Sequence, residues 1–250
     1  MRRVAIIQAR TGSSRLPRKV LADVAGAPML RRVIDRARRA RRIDDVVVAT
    51  TTEGADDAVA ELARAAGVGC FRGSETDVLG RYAAAAREAR ADLVVRLTAD
   101  CPLVDPAVID RVVSALERDP SSDYASTELP TPTFPRGLDV EALFADVLFR
   151  VERMATSRPA REHVTWFIYG EAPALFRARG VSDSEDNSDL RWTVDTEADL
   201  ALVRALDAAL DLDARPVPHG AIVAHVRSHA SLAAINAHVR QRDPRVVEEP

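Results

Sequence analysis

Runs of strand-like and helix-like residues alternate along the first 118 positions, and no other feature of the chain constrains its fold as much. Apolar, β-branched runs at 4–7, 46–50, 68–71 and 93–97 read as buried strands. Between and after them, helical patterns occupy 29–40, 55–66 (closed by Gly67), 78–90 and 106–118, the last with proline at its start. Strands spaced by single helices must run parallel, because a parallel neighbour is reached only through a long crossover. The expectation is an α/β sheet with helices packed on its faces.

After Pro120 the pattern changes. The proline-rich "ELPTPTFPRG" at 128–137 predicts an ordered loop or arm, and 140–143 an edge strand. Helices are expected at 145–154 and 160–169. "DSEDNSD" reads as a polar loop, 190–194 as a strand and 196–210 as a helix, with Thr196 and Asp199 forming its N-terminal cap. The last thirty residues look helical and then polar. Without a repeat or a long linker, the chain reads as one domain over 1–250, with an arm at about 124–145 and a helical tail at about 216–250.

Charge narrows the partners. The net charge of −3 argues against general nucleic-acid binding. Residues 1–42 hold 13 basic side chains against Asp23 and Asp35, and the arginines from 31 to 42 are expected on the solvated face of a helix. Arg2 and Arg3 lead into only a short apolar run, so no signal peptide is expected, and no apolar stretch reaches the ~18 residues of a membrane span. Cys70 and Cys101 form no CxxC pair. A cytoplasmic protein fits best.

The segment "QARTGSSRLPRKVL" follows the first strand and carries Arg10, Arg15, Arg18 and Lys19. Lys19 is the single lysine among 35 basic residues. Where arginine replaces lysine almost everywhere, a surviving lysine marks either chance or a site that needs a compact ammonium, such as a narrow phosphate cradle. In open α/β sheets, ligands bind beyond the carboxyl ends of the strands. Gly12 there permits close backbone approach, and Ser13 and Ser14 add hydroxyl donors. The loop is neither a P-loop, since Arg18 precedes Lys19 and Val20 follows it, nor a G-x-G-x-x-G turn.

Two further strand ends carry aspartates. Asp100 follows the strand at 93–97, and Asp195 follows the one at 190–194. Either is a turn or capping residue, or a carboxylate that holds magnesium against a triphosphate. His225 and His229 lack the glutamate of a zinc-protease motif, and the acidic loop lacks the glycine and final glutamate of an EF-hand.

Taken together, "IIQARTGSSRLPRKVLADVAGAPML", "RLTADCPLVDP", "FPRGLDVE", "REHVT" and "LRWTVDTEADL" resemble the cytidylyltransferases, in particular the spore-coat-polysaccharide-biosynthesis type related to acylneuraminate and 3-deoxy-manno-octulosonate cytidylyltransferases. The resemblance spans roughly residues 3–210. It implies a Rossmann-like nucleotidyltransferase fold with a mixed, mostly parallel sheet. It also implies transfer of CMP from CTP, with Mg2+, to an acidic sugar, and a homodimer.

Carried over by residue, Arg10, Arg15 and Lys19 would serve the reaction, and Ala9, Gly12, Ser13 and Ser14 would join them around the triphosphate. Asp100 and Asp195 would hold magnesium. Thr50, Gly73, Ser74 and Asp77 would face the nucleotide, with Thr51 near the base. Arg136, Asp139, Glu141, Arg161, Glu162 and His163 would face the acceptor. Two rivals share the architecture: CMP transfer to a phosphonate or other phosphorylated small molecule, and a nucleotide-sugar-dependent glycosyltransferase.

Overall fold

The computed structural model describes residues 1–212 and 217–240. The strands are β1 (Arg3–Gln8), β2 (Asp23–Val24), β3 (Ala27–Pro28), β4 (Asp45–Thr51), β5 (Gly69–Gly73), β6 (Leu93–Thr98), β7 (Tyr124–Ser126), β8 (Glu141–Phe144) and β9 (Ala178–Gly180). The helices are α1 (Met29–Arg38), α2 (Asp57–Ala65), α3 (Val78–Glu88), α4 (Pro106–Glu117), α5 (Ala145–Met154), α6 (Arg158–Glu162), α7 (Glu197–Leu210), α8 (His219–Ser228) and α9 (Ala230–Ala234).

Seven strands form one sheet in the order β5-β4-β1-β6-β8-β7-β9. From β5 to β6 every pairing is parallel; β8 runs antiparallel to both β6 and β7, and β9 is parallel to β7. Both faces are covered, which is why β1 reads as an unbroken apolar run. Ala5 and Ile7 pack in one layer with α1, α2, α4 and α7, while Val4 and Ile6 pack in the other with α3 and α5. The Rossmann-like expectation of a mixed, mostly parallel sheet holds.

Chain order places the site. From β1 the chain moves outward through β4 to β5, then returns to lay β6 on the other side of β1. The sheet therefore reverses its winding between β1 and β6, where Gln8 is paired with Thr98. In open α/β sheets ligands bind at such a switch point, past the strand ends. The loops after Gln8 and Thr98 flank it.

Four expectations are corrected. The strand expected at an edge is β8, and it lies inside the sheet between β6 and β7; β7 and β9, too short to show a period, form the far side. The helix expected over 160–169 is interrupted, because α6 ends at Glu162 and Val164 adopts φ 52°, a left-handed conformation that no β-branched residue holds within a helix. Residues 190–194 form no strand. They make a single bridge, Arg136 to Arg191, and their remaining bonds go to loops: Trp192 N–H to Arg136 O at 2.6 Å and Val194 N–H to Asp100 O at 2.8 Å. Finally, Arg32 and Arg36 of α1 are buried, donating to the carbonyls of Val24 and Ala25 and of Val104. The remaining helices match their patterns, and α7 carries the capping box of Thr196 with Asp199. The tail expected to 250 is described as far as 240, as α8 and α9.

Candidate active site

The loop after β1 is fastened before any ligand is considered. Ala9 is buried and donates its N–H to Ala49 O at 3.2 Å. The Thr11 N–H and hydroxyl both reach Asp56 Oδ1 at 2.7 Å, and Thr51 supplies a further hydroxyl to Asp56. Burial alone would raise the Asp56 carboxyl, but these donors hold it below the ordinary carboxylate value. The loop closes where Arg18 N–H meets Thr11 O at 3.0 Å, and Arg18 takes the left-handed conformation, φ 57°. A short 3-10 turn, Lys19–Leu21, follows, with Leu16 and Val20 sunk in the core. Ser13 Oγ accepts the Leu16 N–H at 3.4 Å. Ser14 is exposed.

Lys19 Nζ donates to Asp100 Oδ2 at 2.8 Å, to Asp195 Oδ1 at 2.7 Å and to Val194 O at 2.9 Å. Residues 81 and 176 positions away in sequence thus meet on one ammonium. The second oxygen of each carboxylate is held separately. Thr98 Oγ1 donates to Asp100 Oδ1 at 2.6 Å, while Arg15 Nη2 at 3.0 Å and Arg191 Nη2 at 2.7 Å share Asp195 Oδ2. Burial would raise the Asp195 carboxyl; the charge and hydrogen bond of Lys19, the charge of Arg15 and the Arg191 hydrogen bond together outweigh it and bring it down to about 2. Burial likewise works against the Lys19 ammonium, and the charges of Asp100 and Asp195 reverse that, so Lys19 stays charged. Arg10 lies more openly, paired with Glu75 at 2.8 Å. Gly12 sits beside the same glutamate.

Among the residues expected to face the nucleotide, Asp77 caps α3 by accepting the Gly80 N–H at 2.9 Å and pairs with Arg161. Ser74 Oγ accepts the Asp77 N–H at 3.1 Å, and its carbonyl accepts from Arg81. Gly73 ends β5, packed against Phe71 and Arg81. Thr50 and Thr51 are fully buried in β4, and the Thr50 hydroxyl finds no hydrogen-bond partner among the described residues.

The expected acceptor residues divide. Arg136 pairs with Glu128, lies 3.6 Å from Asp139, and exchanges backbone bonds with Leu190 and Trp192, so the arm lies directly against the segment that carries Asp195. Gly137 makes this approach possible: at φ +106°, a Cβ there would stand 2.6 Å from the Thr193 nitrogen. Burial and the nearby Glu128 push the Asp139 carboxyl up to about 7, against the pull of Arg136.

Glu141 is placed differently from the expectation. It is 2% exposed within β8 and is engaged by Arg96, the Tyr124 hydroxyl at 3.0 Å and Thr165. It belongs to the sheet interior. Arg161 likewise faces Asp77 rather than Arg136, and donates to Glu152 O at 2.8 Å. Glu162 and His163 are half-buried at the end of α6. The sequence reading missed Asp56, Glu75, Thr98 and Arg191. Only Arg191 carried a signal, four positions before Asp195.

Similarity to known proteins agrees with this geometry. The cytidylyltransferase family model matches residues 4–209. The chain is 36% identical, over the full length of both, to an uncharacterized protein of Methanocaldococcus jannaschii. It is 33% identical to the spore coat polysaccharide biosynthesis protein SpsF of Bacillus subtilis, covering 80% of this chain and 84% of that one. A 3-deoxy-manno-octulosonate cytidylyltransferase of Anaeromyxobacter dehalogenans is 46% identical over 47% of this chain and 48% of its own. Among solved structures, a cytidylyltransferase from Leptospira borgpetersenii superposes with a TM-score of 0.88 at 28% identity, covering 93% of this chain and 97% of that one. With a β1 loop whose lysine joins Asp100, just past β6, to Asp195, just before α7, and a family match running from β1 to α7, the chain belongs to the cytidylyltransferase family, nucleotidyltransferases that use CTP.

Proposed function

We propose that this protein transfers CMP from CTP to an acidic sugar, releasing pyrophosphate. One observation carries the reading: at the switch point of the sheet, a basic loop holding Arg10, Arg15 and Lys19 faces two carboxylates, Asp100 just past β6 and Asp195 just before α7. That arrangement suits a highly charged phosphate chain bound together with a cation. The sugar acceptor rests on likeness to SpsF and the 3-deoxy-manno-octulosonate enzymes. Family membership sets aside the glycosyltransferase reading. The proposal includes a cytoplasmic homodimer; no helix among the described residues is long and apolar enough to cross a membrane.

The donor set fits Mg2+. Each aspartate turns one hard oxygen toward a single cationic position, which Lys19 Nζ marks, and magnesium takes one or two carboxylates together with phosphate oxygens and water. Asp100 and Asp195 would hold the ion, which would neutralise phosphate charge when bound.

The protein's own task is positioning and electrostatics. Lys19, Arg15 and Arg10 draw the triphosphate into line and offset the charge that builds on the departing pyrophosphate. Gly12 and the neighbouring N–H groups let the phosphates approach the backbone. Arg136, whose backbone is bonded to residues 190, 192 and 193, and Asp139 beside it would bracket the acceptor whose oxygen attacks the α-phosphorus.

Thermal unfolding with Mg2+ and each of CTP, UTP, ATP and GTP tests the nucleotide. Saturation at 100 times the dissociation constant adds about 2.7 kcal/mol, and CTP should stand out. Pyrophosphate release with CTP and a panel of acidic sugars and phosphonates then tests the acceptor. No preference for CTP would sink the reading; turnover with phosphonates alone would replace the sugar.

A further inference from the structure

We infer that Lys19 is the resident counter-ion of the Asp100–Asp195 pair, that it excludes a divalent ion from the nucleotide-free protein, and that the triphosphate admits the ion by drawing the lysine away. The inference rests on the proposed reading of this site as a seat for CTP and Mg2+.

Exclusion follows from how the carboxylate oxygens are used. Asp100 Oδ1 is taken by the Thr98 hydroxyl, and Asp195 Oδ2 by Arg15 and Arg191. The two oxygens that converge on one point are Asp100 Oδ2 and Asp195 Oδ1, and Lys19 Nζ lies 2.8 and 2.7 Å from them. Magnesium binds oxygen at about 2.0–2.1 Å, so an ion that touches both must sit where the ammonium now sits. Two cations cannot share that place. Nor does Lys19 rest there loosely: its side chain is 12% exposed, and Val194 O takes its third donor at 2.9 Å.

A second phosphate-facing partner is what would release it. Lysine is a point charge on a flexible four-carbon stem, and it can turn from a carboxylate pair to a phosphate oxygen without moving the backbone. Lys19 places three donors on a single nitrogen, toward Asp100, Asp195 and the Val194 carbonyl, whereas no guanidinium nitrogen carries more than two, which fits the one lysine in a chain otherwise served by arginine. Once the ammonium leaves, Asp100 Oδ2 and Asp195 Oδ1 face each other with no cation between them, and a divalent ion relieves that repulsion. Metal and nucleotide therefore strengthen each other's binding, and linkage makes the effect reciprocal.

Because Lys19 is the only lysine, protein made with [ε-13C]lysine gives one side-chain signal that reports this residue in the unaltered chain. At matched ionic strength, Mg2+ alone should leave the signal unmoved, and CTP alone should shift it. A shift that saturates with Mg2+ alone would overturn the inference, and the absence of any shift with CTP would overturn the nucleotide reading beneath it. Mn2+ binding to nucleotide-free protein, followed by electron paramagnetic resonance, gives a second readout. Lys19→Gln should bind Mn2+ about tenfold or more tightly than the wild type. Equal affinity in the two proteins would count against exclusion. Adding Asp100→Asn to Lys19→Gln should abolish the gain; a gain that survives would put the ion elsewhere and remove the metal site itself.

Discussion

Asp77 and Arg161, 84 positions apart, form a two-pronged ion pair in which Asp77 Oδ1 receives Arg161 Nε at 2.8 Å and also the Gly80 N–H at 2.9 Å. One carboxylate thus caps α3 and ties it to α6. Gly80 is required by the same contact, since a Cβ there would lie 2.4 Å from Asp77 Oδ2. Burial raises this carboxyl, but the Arg161 hydrogen bond and the cap hold it below 3.8. A depressed folded pKa contributes stability above the unfolded value and loses it as pH falls. Asp77→Ala should therefore cost about 1–2 kcal/mol at pH 7 through the lost cap and pair. In urea unfolding, the gap from wild type should narrow steadily below pH 3.8. A gap that is the same on both sides would contradict this account.

Lys19→Ala separates chemistry from folding. Loss of a preorganised cation facing transition-state charge costs on the order of 100- to 1,000-fold in turnover. The fold should lose no more than about 2 kcal/mol, because Asp195 keeps Arg15 and Arg191. Steady-state pyrophosphate release and denaturant titration measure the two effects side by side. Unchanged turnover would remove Lys19 from the reaction.

Glu141 offers the reverse case. Its carboxylate lies inside the sheet, between Arg96 and the hydroxyls of Tyr124 and Thr165. Glu141→Gln would strand the Arg96 guanidinium, and breaking such a buried pair costs about 3–5 kcal/mol. The expected result is a large drop in the unfolding midpoint with little change in acceptor KM at temperatures where the variant stays folded. A rise in KM without loss of stability would restore Glu141 to the acceptor site.

His219 sets a pH dependence at the other end of the scale. At the start of α8 its ring joins Asp105 Oδ2 at 3.0 Å to Asp183 Oδ2 at 2.9 Å, and Arg111 also meets Asp183. The Asp105 hydrogen bond raises the histidine above 6.5, burial opposes it, and the Asp183 hydrogen bond adds to it. Only the imidazolium can donate to both carboxylates. The stability from this clasp is complete below 6.5 and is lost as pH rises through the raised folded value. His219→Gln should flatten the stability profile between neutral and mildly alkaline pH. A wild-type profile already flat there would refute the clasp.

The parallel half of the fold was legible from local pattern. Runs such as Val4–Ile7, buried on both faces, have no reading but an interior strand, and Pro106 and Thr196 mark their helix starts without reference to the rest of the chain. The basic loop and the two aspartates could be named for the same reason, since charge and position after an apolar run are written in residue order. Three-residue strands such as β7 and β9 carry no period and exist only by pairing. Residues 190–194 looked like a strand because they are extended and apolar, yet the sheet has no place for them. Their backbone bonds go to the Arg136 and Asp100 loops, and that is what carries Asp195 to Lys19. Glu141 and Asp139, two positions apart in one motif, part company because a strand sends β8's glutamate into the interior while the turn before it leaves Asp139 half-buried beside Arg136. Which charges meet depends on distances in space between residues far apart in sequence, and only the folded chain brings the three oxygens at Asp100, Val194 and Asp195 onto one lysine nitrogen.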